Sequence, residues 1–239
     1  LGDLSAFISN LTKRGLKFVN IPTTLLAQAD ASIGGKTGIN SSQGKNLIGT
    51  YYQPDFVLSD VSILKSLPQR EMISGYGEIL KHSLILDRRF FFWLSKNGKK
   101  IINKKNNTLL TNAIVKSCKI KSKVVDKEEQ EKKLRMILNF GHTFAHGFEG
   151  AKKFSKKLNH GEAVLLGMII ASEFSVKRKL LAFKEFSLIK KHYFSLKLLM
   201  NINKVFKKNE INKIIYFMKK DKKNTSEKIG IILLNKIGK

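Results

Sequence analysis

The last proline of the chain is Pro68, and from Gln69 to Lys239 apolar residues recur at the three- and four-residue spacings of a helix. Proline removes a backbone donor and crowds the preceding turn, so its absence over so long a stretch favours a run of helices. The periodicity predicts helices around 69–86, 89–96, 106–126, 135–149, 160–180, 184–194 and 208–219. The part before Pro68 reads differently. Leu4–Leu11 has the pattern of a helix tail, and Lys17–Pro22 and Phe56–Asp60 are short strand-like runs. Between them, Ala27–Asn46 is rich in Gly, Ser, Thr and Asn. The expected fold is α/β over residues 1–65, followed by an all-α domain over 66–239. Ile229–Leu234 suits a strand or a helix equally.

Composition narrows the class. A chain of 239 residues with 42% apolar content can bury a core and is too hydrophobic for disorder. Cys118 is the single cysteine, which excludes a disulfide framework and points to a reducing, cytoplasmic setting. The longest apolar run, Ala163–Ala171, has about half the length that spans a bilayer, and no secretory signal pattern is read, so no membrane partner is expected. Basic residues outnumber acidic ones by 45 to 18, a net charge of +27 that attracts polyanions. Yet only six of the 45 are Arg, the residue that grips phosphates and guanines bidentately. The lysines are scattered through Lys96–Lys105, Lys119–Lys133 and Lys204–Lys223, as on solvated faces, and nucleic acid is not expected as a partner.

Several clusters carry chemistry. His142 and His146 stand four apart in Asn139-Phe-Gly-His-Thr-Phe-Ala-His146, one face of a helix. His160 opens His-Gly-Glu162 at the start of the most apolar helix. Glu78 lies three residues before Lys81 and four before His82, spacings that suit either a surface ion pair or a shared metal. One carboxylate and two imidazoles make a zinc site with an open position. Spacing alone does not choose the two histidines. Ser32-Ile-Gly-Gly-Lys36 and Gly44-Lys-Asn46 resemble anion-binding loops, where glycines admit the anion to backbone amides. The Walker A spacing is absent.

In combination the motifs are more specific. Ile21-Pro-Thr-Thr-Leu-Leu-Ala-Gln-Ala-Asp-Ala-Ser-Ile-Gly-Gly-Lys-Thr37, Gly44-Lys-Asn46, Gly77-Glu-Ile-Leu-Lys81, Arg135-Met-Ile-Leu-Asn-Phe-Gly-His-Thr143 and His160-Gly-Glu162 resemble the 3-dehydroquinate synthase family in order and spacing. The resemblance thins after residue 180 to Asp221-Lys-Lys223. It implies a homodimeric, NAD- and zinc-dependent lyase, with cobalt able to replace zinc. The implied reaction converts 3-deoxy-arabino-heptulosonate 7-phosphate into 3-dehydroquinate and phosphate. It also implies a Rossmann-like nucleotide domain whose first part would precede Leu1, with Leu1-Gly-Asp3 at the end of the dinucleotide loop.

By the same resemblance the zinc ligands are Glu78, His142 and His160, which sets aside His82. His146, Glu131, Lys81 and Arg135 take catalytic positions, His146 as an acid/base group and Glu131 as a proton acceptor. Arg14, Asp30, Lys36, Asn46, Lys81, Lys121, Arg135, Asn139 and Lys222 match substrate positions, with Arg14 reaching a neighbouring subunit's site. Gly2, Asp3, Thr23, Thr24, Lys36, Lys45 and the stretch Ile63, Leu64, Lys65 and Ser66 match NAD contacts. The family pattern is broken at Lys133, where a glycine is usual, and by the Lys-rich segment Lys152–Lys157. Other sugar phosphate cyclases share the zinc triad, but Arg135, Asn139 and His146 suit a carboxylate-bearing substrate. Polyol dehydrogenases of related fold lack the Lys36, Lys45 and Lys81 cations. A basic helical nucleic-acid binder and an inactive fragment are the remaining alternatives.

Overall fold

The computed structural model describes residues 1–41, 44–130, 133–220 and 228–239; the side chains of Asn40, Ser41, Gly44 and Lys45 are not included in that description. Every described strand lies before residue 60, and helices follow, as the loss of proline predicts. Helix α1 (Gly2–Leu11) buries only Ala6 and lies against strand β2 (Lys36–Ser41). Strand β1 (Val19–Asn20) pairs in parallel with β4 (Phe56–Val57), Val19 opposite Phe56. Strand β2 pairs antiparallel with β3 (Gly44–Tyr51), with Lys36 opposite Tyr51 and an irregularity between Ile39 and Ser41.

The two Gly-Lys motifs, Ser32–Lys36 and Gly44–Asn46, thus belong to one hairpin, Lys36 opening β2 and Lys45 and Asn46 standing near the start of β3. Gly34 has φ +97°, and a Cβ there would lie 2.6 Å from Arg135 Nη2. Its glycine is required by the turn and by the arginine beside it. Ahead of the hairpin, Ala27–Ala31 forms a single π-helical turn, a conformation common near functional sites.

Among the described residues the second part is built from α2 (Gln69–Leu86), α3 (Arg88–Ile102), α4 (Asn107–Lys127), α5 (His142–Ala151), α6 (His160–Lys177) and α7 (Phe183–Ser195), with α8 (Ile211–Lys219) packed on α5. Two boundaries differ most from expectation, with smaller shifts at the end of α6 (Lys177 against 180) and the start of α8 (Ile211 against 208). Helix α3 runs past Lys-Asn-Gly98, because Gly98 sits inside the helix where a Cβ would strike Tyr76 Oη at 2.4 Å. The helix expected over 135–149 is broken. A 3-10 stretch, Leu134–Asn139, ends at Phe140, and Gly141 at φ +80° starts α5 afresh, so that His142 becomes its first residue. Ile229–Leu234 forms neither strand nor helix.

Helix α6 is apolar on nearly every side from Ala163 to Ala171 and forms the centre of the core between α2, α5 and α7. Two glycines let it approach its neighbours. A Cβ on Gly161 would lie 2.2 Å from Ser74 Cα of α2, and one on Gly167 would lie 2.1 Å from the Gly141 carbonyl oxygen. Close backbone contact on both sides draws α2, α5 and α6 together. Among the described residues, no helix is long and apolar enough to cross a membrane.

Candidate metal and substrate site

Those three helices each deliver one side chain to a common point. Glu78 from the middle of α2, His142 at the start of α5 and His160 at the start of α6 hold ligand atoms within 4.8 Å of one another. Glu78 Oε1 is buried, has no hydrogen-bond partner among the described residues, and faces His142 Nε2 at 3.4 Å and His160 Nε2 at 3.6 Å. Each histidine is held at its other nitrogen: Nδ1 of His142 lies 3.3 Å from the Phe140 carbonyl oxygen, and Nδ1 of His160 lies 3.3 Å from both carboxylate oxygens of Glu149. A buried carboxylate oxygen facing two imidazole nitrogens whose far sides are engaged fits a divalent metal of the zinc type.

The local sequence explains the convergence. In Asn159-His160-Gly161-Glu162, the Asn159 side chain accepts from the Glu162 N–H at 2.9 Å and Glu162 accepts from the Asn159 N–H at 3.0 Å, a capping box that fixes the start of α6. Glu162 also receives a bidentate pair of hydrogen bonds from Arg70 of α2, at 2.7 and 2.6 Å. Arg70 further donates to the Lys156 and Lys157 carbonyls, which ties the Lys-rich segment before His160 to α2.

Charge around the cluster is dense. The Lys81 ammonium pairs with Glu78 Oε2, and both side chains are buried, so the expected alternative of a surface ion pair is corrected to an interior one. Burial alone would raise the Glu78 carboxyl, but Lys81 and His142 hold it well below the usual carboxylate range. Burial, with Lys81 nearby, pushes the His142 imidazole down to about 3, leaving it neutral at pH 7. Asp30, on the π-helical turn, pairs with Lys121 Nζ at 2.9 Å and faces His82 Nε2 at 3.2 Å. Burial would raise its carboxyl as well, but Lys121 and Lys81 hold it well below the usual range.

Asp30, Glu78 and His82 form a second group of ligand-type atoms within 4.8 Å. It suits a metal less well, because Asp30 Oδ1 already meets Lys121 Nζ at 2.9 Å and His82 Nε2 at 3.2 Å, so that its ligand atoms are paired with one another and with a lysine. His82, whose Nδ1 meets Ser117 Oγ, is thus a buried link between α2, α4 and Asp30.

Among the described residues only three basic side chains are buried: Lys81, Lys121 and Arg135. The Arg135 guanidinium donates to the Gly34 carbonyl at 2.8 Å and to the Glu129 carbonyl, lies over the Tyr51 ring, and leaves its buried Nε without a partner among the described residues. Asn139 is buried on the same 3-10 stretch. His146 is half-buried, its ring edge-on to His142 with centroids 5.8 Å apart.

The remaining positions are more dispersed. Gly2, Asp3 and Lys36 line one small cleft with Phe18 and Tyr52. Arg14 is exposed at φ +65°, and Asn46 is exposed on the hairpin at φ +53°. Thr23 is exposed, while Thr24 Oγ1 accepts from the Ala27 N–H at 3.2 Å. Ile63, Lys65 and Ser66 lie on a 3-10 turn (Val61–Ser66) capped by Asp60, whose Leu64 is buried in the core. The Lys45 side chain, Glu131 and Lys222 lie outside the described residues. The residues that sequence reasoning missed are Arg70, Ser117 and Glu149. Glu149 carried a usable signal, since it stands seven residues after His142 on the same face of α5.

An α/β unit leading into a helical domain, with a carboxylate and two histidines beside buried cations, has the architecture of the sugar phosphate cyclases. The structure matches 2-epi-5-epi-valiolone synthase of Streptomyces hygroscopicus subsp. jinggangensis, solved with NAD+ and Zn2+, at TM-score 0.86 and 28% identity. That match covers 100% of this chain and 65% of the other. It also matches 2-deoxy-scyllo-inosose synthase complexed with carbaglucose-6-phosphate, NAD+ and Co2+, at TM-score 0.88 and 28% identity, covering 98% and 64%. Within that class, the family model 3-dehydroquinate synthase N-terminal matches residues 1–74 and 3-dehydroquinate synthase C-terminal matches residues 75–224; the chain belongs to the 3-dehydroquinate synthase family. The 3-dehydroquinate synthase of Pelagibacter ubique is 58% identical over 99% of the chain, and that of Dictyoglomus thermophilum is 43% identical over 100%. The chain spans 64% and 65% of the lengths of these relatives.

Proposed function

We propose that the protein carrying this chain, at the length of its relatives, is a 3-dehydroquinate synthase. It takes 3-deoxy-arabino-heptulosonate 7-phosphate to 3-dehydroquinate and phosphate, as a carbon–oxygen lyase of the shikimate pathway. It works as a cytoplasmic homodimer with NAD and zinc, residues 1–65 completing the nucleotide domain and residues 66–239 forming the metal and substrate domain. The observation that carries this reading is the placement of the three buried basic side chains. Burying a cation is costly unless an anion meets it; Glu78 and Asp30 meet Lys81 and Lys121, while among the described residues Arg135 donates to the Gly34 and Glu129 carbonyls. Lys81, Lys121 and Arg135 all stand at positions that the family resemblance assigns to a substrate with a phosphate and a carboxylate.

Glu78, His142 and His160 would hold the metal, which supplies a Lewis acid for the hydroxyl that NAD oxidises and later restores, leaving no net redox change. The chain's own groups do the rest. Lys81, Lys121 and Arg135, with Asn139 and Lys222, bind and orient the anionic ends of the substrate. Asp30, fixed between Lys121 and His82, receives a substrate hydroxyl. His146 moves a proton at its ring nitrogen, and Glu131 accepts one. Gly2, Asp3, Thr23, Thr24, Lys36, Lys45 and Ile63–Ser66 contact NAD, while Lys36 and Asn46 also reach the substrate, and Arg14 completes the site of the second subunit.

The test is phosphate release from the heptulosonate phosphate with NAD and zinc, using the protein at the length of its relatives. Release that is lost in His142→Ala and Lys36→Ala variants supports the reading. A folded, zinc-loaded, NAD-binding protein that releases no phosphate from this substrate, but does from another sugar phosphate, would make it a cyclase of different specificity.

A further inference from the structure

We propose that Glu149 is the positioning residue of the metal centre: it accepts the Nδ1 hydrogen of His160 and thereby turns Nε2 toward Glu78. The inference deepens the metal reading above and rests on it. Three observations carry it. Both oxygens of the Glu149 carboxylate lie 3.3 Å from His160 Nδ1, so the contact is centred on the ring nitrogen. The carboxylate is buried, at 5% exposure, and so cannot be a solvated surface acid that meets the ring by chance. Finally, the two histidines are held by different devices. His142 leans on the carbonyl of Phe140 two residues before it, a contact that its own turn enforces. His160 is the first residue of α6 and depends on a side chain from another helix.

The placement of Glu149 follows from α5 itself. His142, His146 and Glu149 fall at i, i+4 and i+7 and share one face. A neighbouring flank of α5 carries Gly147 and Gly150, whose missing side chains let α8 pack closely; a Cβ on Gly150 would lie 2.4 Å from Phe217 Cγ. Helix α5 thus packs on both α8 and α6, and Glu149 meets His160 where it faces α6. A carboxylate engaging a ligand histidine fixes its tautomer and orientation, and losing one typically weakens metal binding about 10–100-fold.

The experiment measures zinc affinity by competition with a chromophoric chelator on wild type, Glu149→Leu, Glu149→Gln and His142→Ala, at one pH. Glu149→Leu removes the acceptor and should bind zinc about 10–100-fold more weakly. Glu149→Gln keeps an acceptor oxygen in place and should recover most of that loss, a rescue that a purely structural carboxylate would not show. Wild-type affinity in Glu149→Leu, or an equal loss in Glu149→Gln, would overturn the proposal. If Glu149→Leu does not fold, the cobalt(II) absorption spectrum of Glu149→Asp decides. The shorter side chain should alter the ligand-field bands, and unchanged bands would overturn the proposal. A wild type that takes up no zinc, or a His142→Ala variant that takes it up undiminished, would instead overturn the metal reading and this proposal with it.

Discussion

Replacing Gly167 by alanine should loosen the molecule and its metal centre together. The added Cβ would lie 2.1 Å from the Gly141 carbonyl oxygen and 3.0 Å from its carbon, both of them backbone. No rotamer change relieves such a clash, so α5 and α6 must part by about 1 Å before the contact becomes tolerable. Overpacking of this kind costs about 1–3 kcal/mol, and a rigid backbone partner puts it near the upper end. Alanine regains about 1 kcal/mol of helix propensity over glycine, leaving a net loss of about 2 kcal/mol. For a domain of this size that lowers Tm by about 4–8 °C. The same 1 Å acts between His142 on α5 and His160 on α6, where metal–ligand distances tolerate only about 0.2 Å. Zinc affinity should accordingly drop by about tenfold or more. Calorimetry of the metal-free protein and chelator competition measure the two effects. Gly2→Ala is the control, because nothing lies within 4 Å of its Cβ. A Gly167→Ala protein with the Tm and zinc affinity of wild type would refute the claim that this contact sets the helix spacing.

Two buried groups should shape stability in acid. Burial pushes His192, which meets the Tyr76 hydroxyl at 3.0 Å, down to about 4, against about 6.5 in an unfolded chain. The unfolded state therefore binds the extra proton over that interval, and stability falls as pH drops from about 6.5 towards 4. His192→Phe should remove this slope between pH 7 and pH 5 in urea titrations; an unchanged slope would count against it. Hydrogen bonds from Arg88 hold the Glu185 carboxyl below its ordinary value despite partial burial. Its contribution is present above the unfolded value of about 4.3 and is lost as pH falls below it. The stability gap between wild type and Glu185→Gln should thus shrink at pH 3, and a gap as wide as at pH 7 would contradict the pairing.

Much of the helical half was legible because its signals are local. The loss of proline after Pro68 and the apolar spacing give α2 its bounds at Gln69 and Leu86, and α6 its start at His160. Where the structure departs from the reading, a distant neighbour decides. Gly141 breaks α5 from the preceding stretch because α6 lies against it, and nothing within 134–151 announces that contact. Gly34 and Gly35 are legible as a glycine turn, but that Arg135, a hundred residues on, and Gln53 lie beside them is not written in the local sequence. The candidate site shows the same division. Glu78, His142 and His160 stand in short, recognisable motifs. Glu149 reaches His160 only after the loop between α5 and α6 folds back, and Arg70 meets Glu162 only once α2 and α6 have packed.

The central claim is that Glu78, His142 and His160 together hold the metal. Anomalous diffraction at the zinc edge, on crystals of the zinc-loaded protein, tests it most directly. The account predicts one strong peak about 2.0–2.2 Å from Glu78 Oε1, His142 Nε2 and His160 Nε2. A peak between Asp30 and His82 instead, or none at the three side chains, would contradict it.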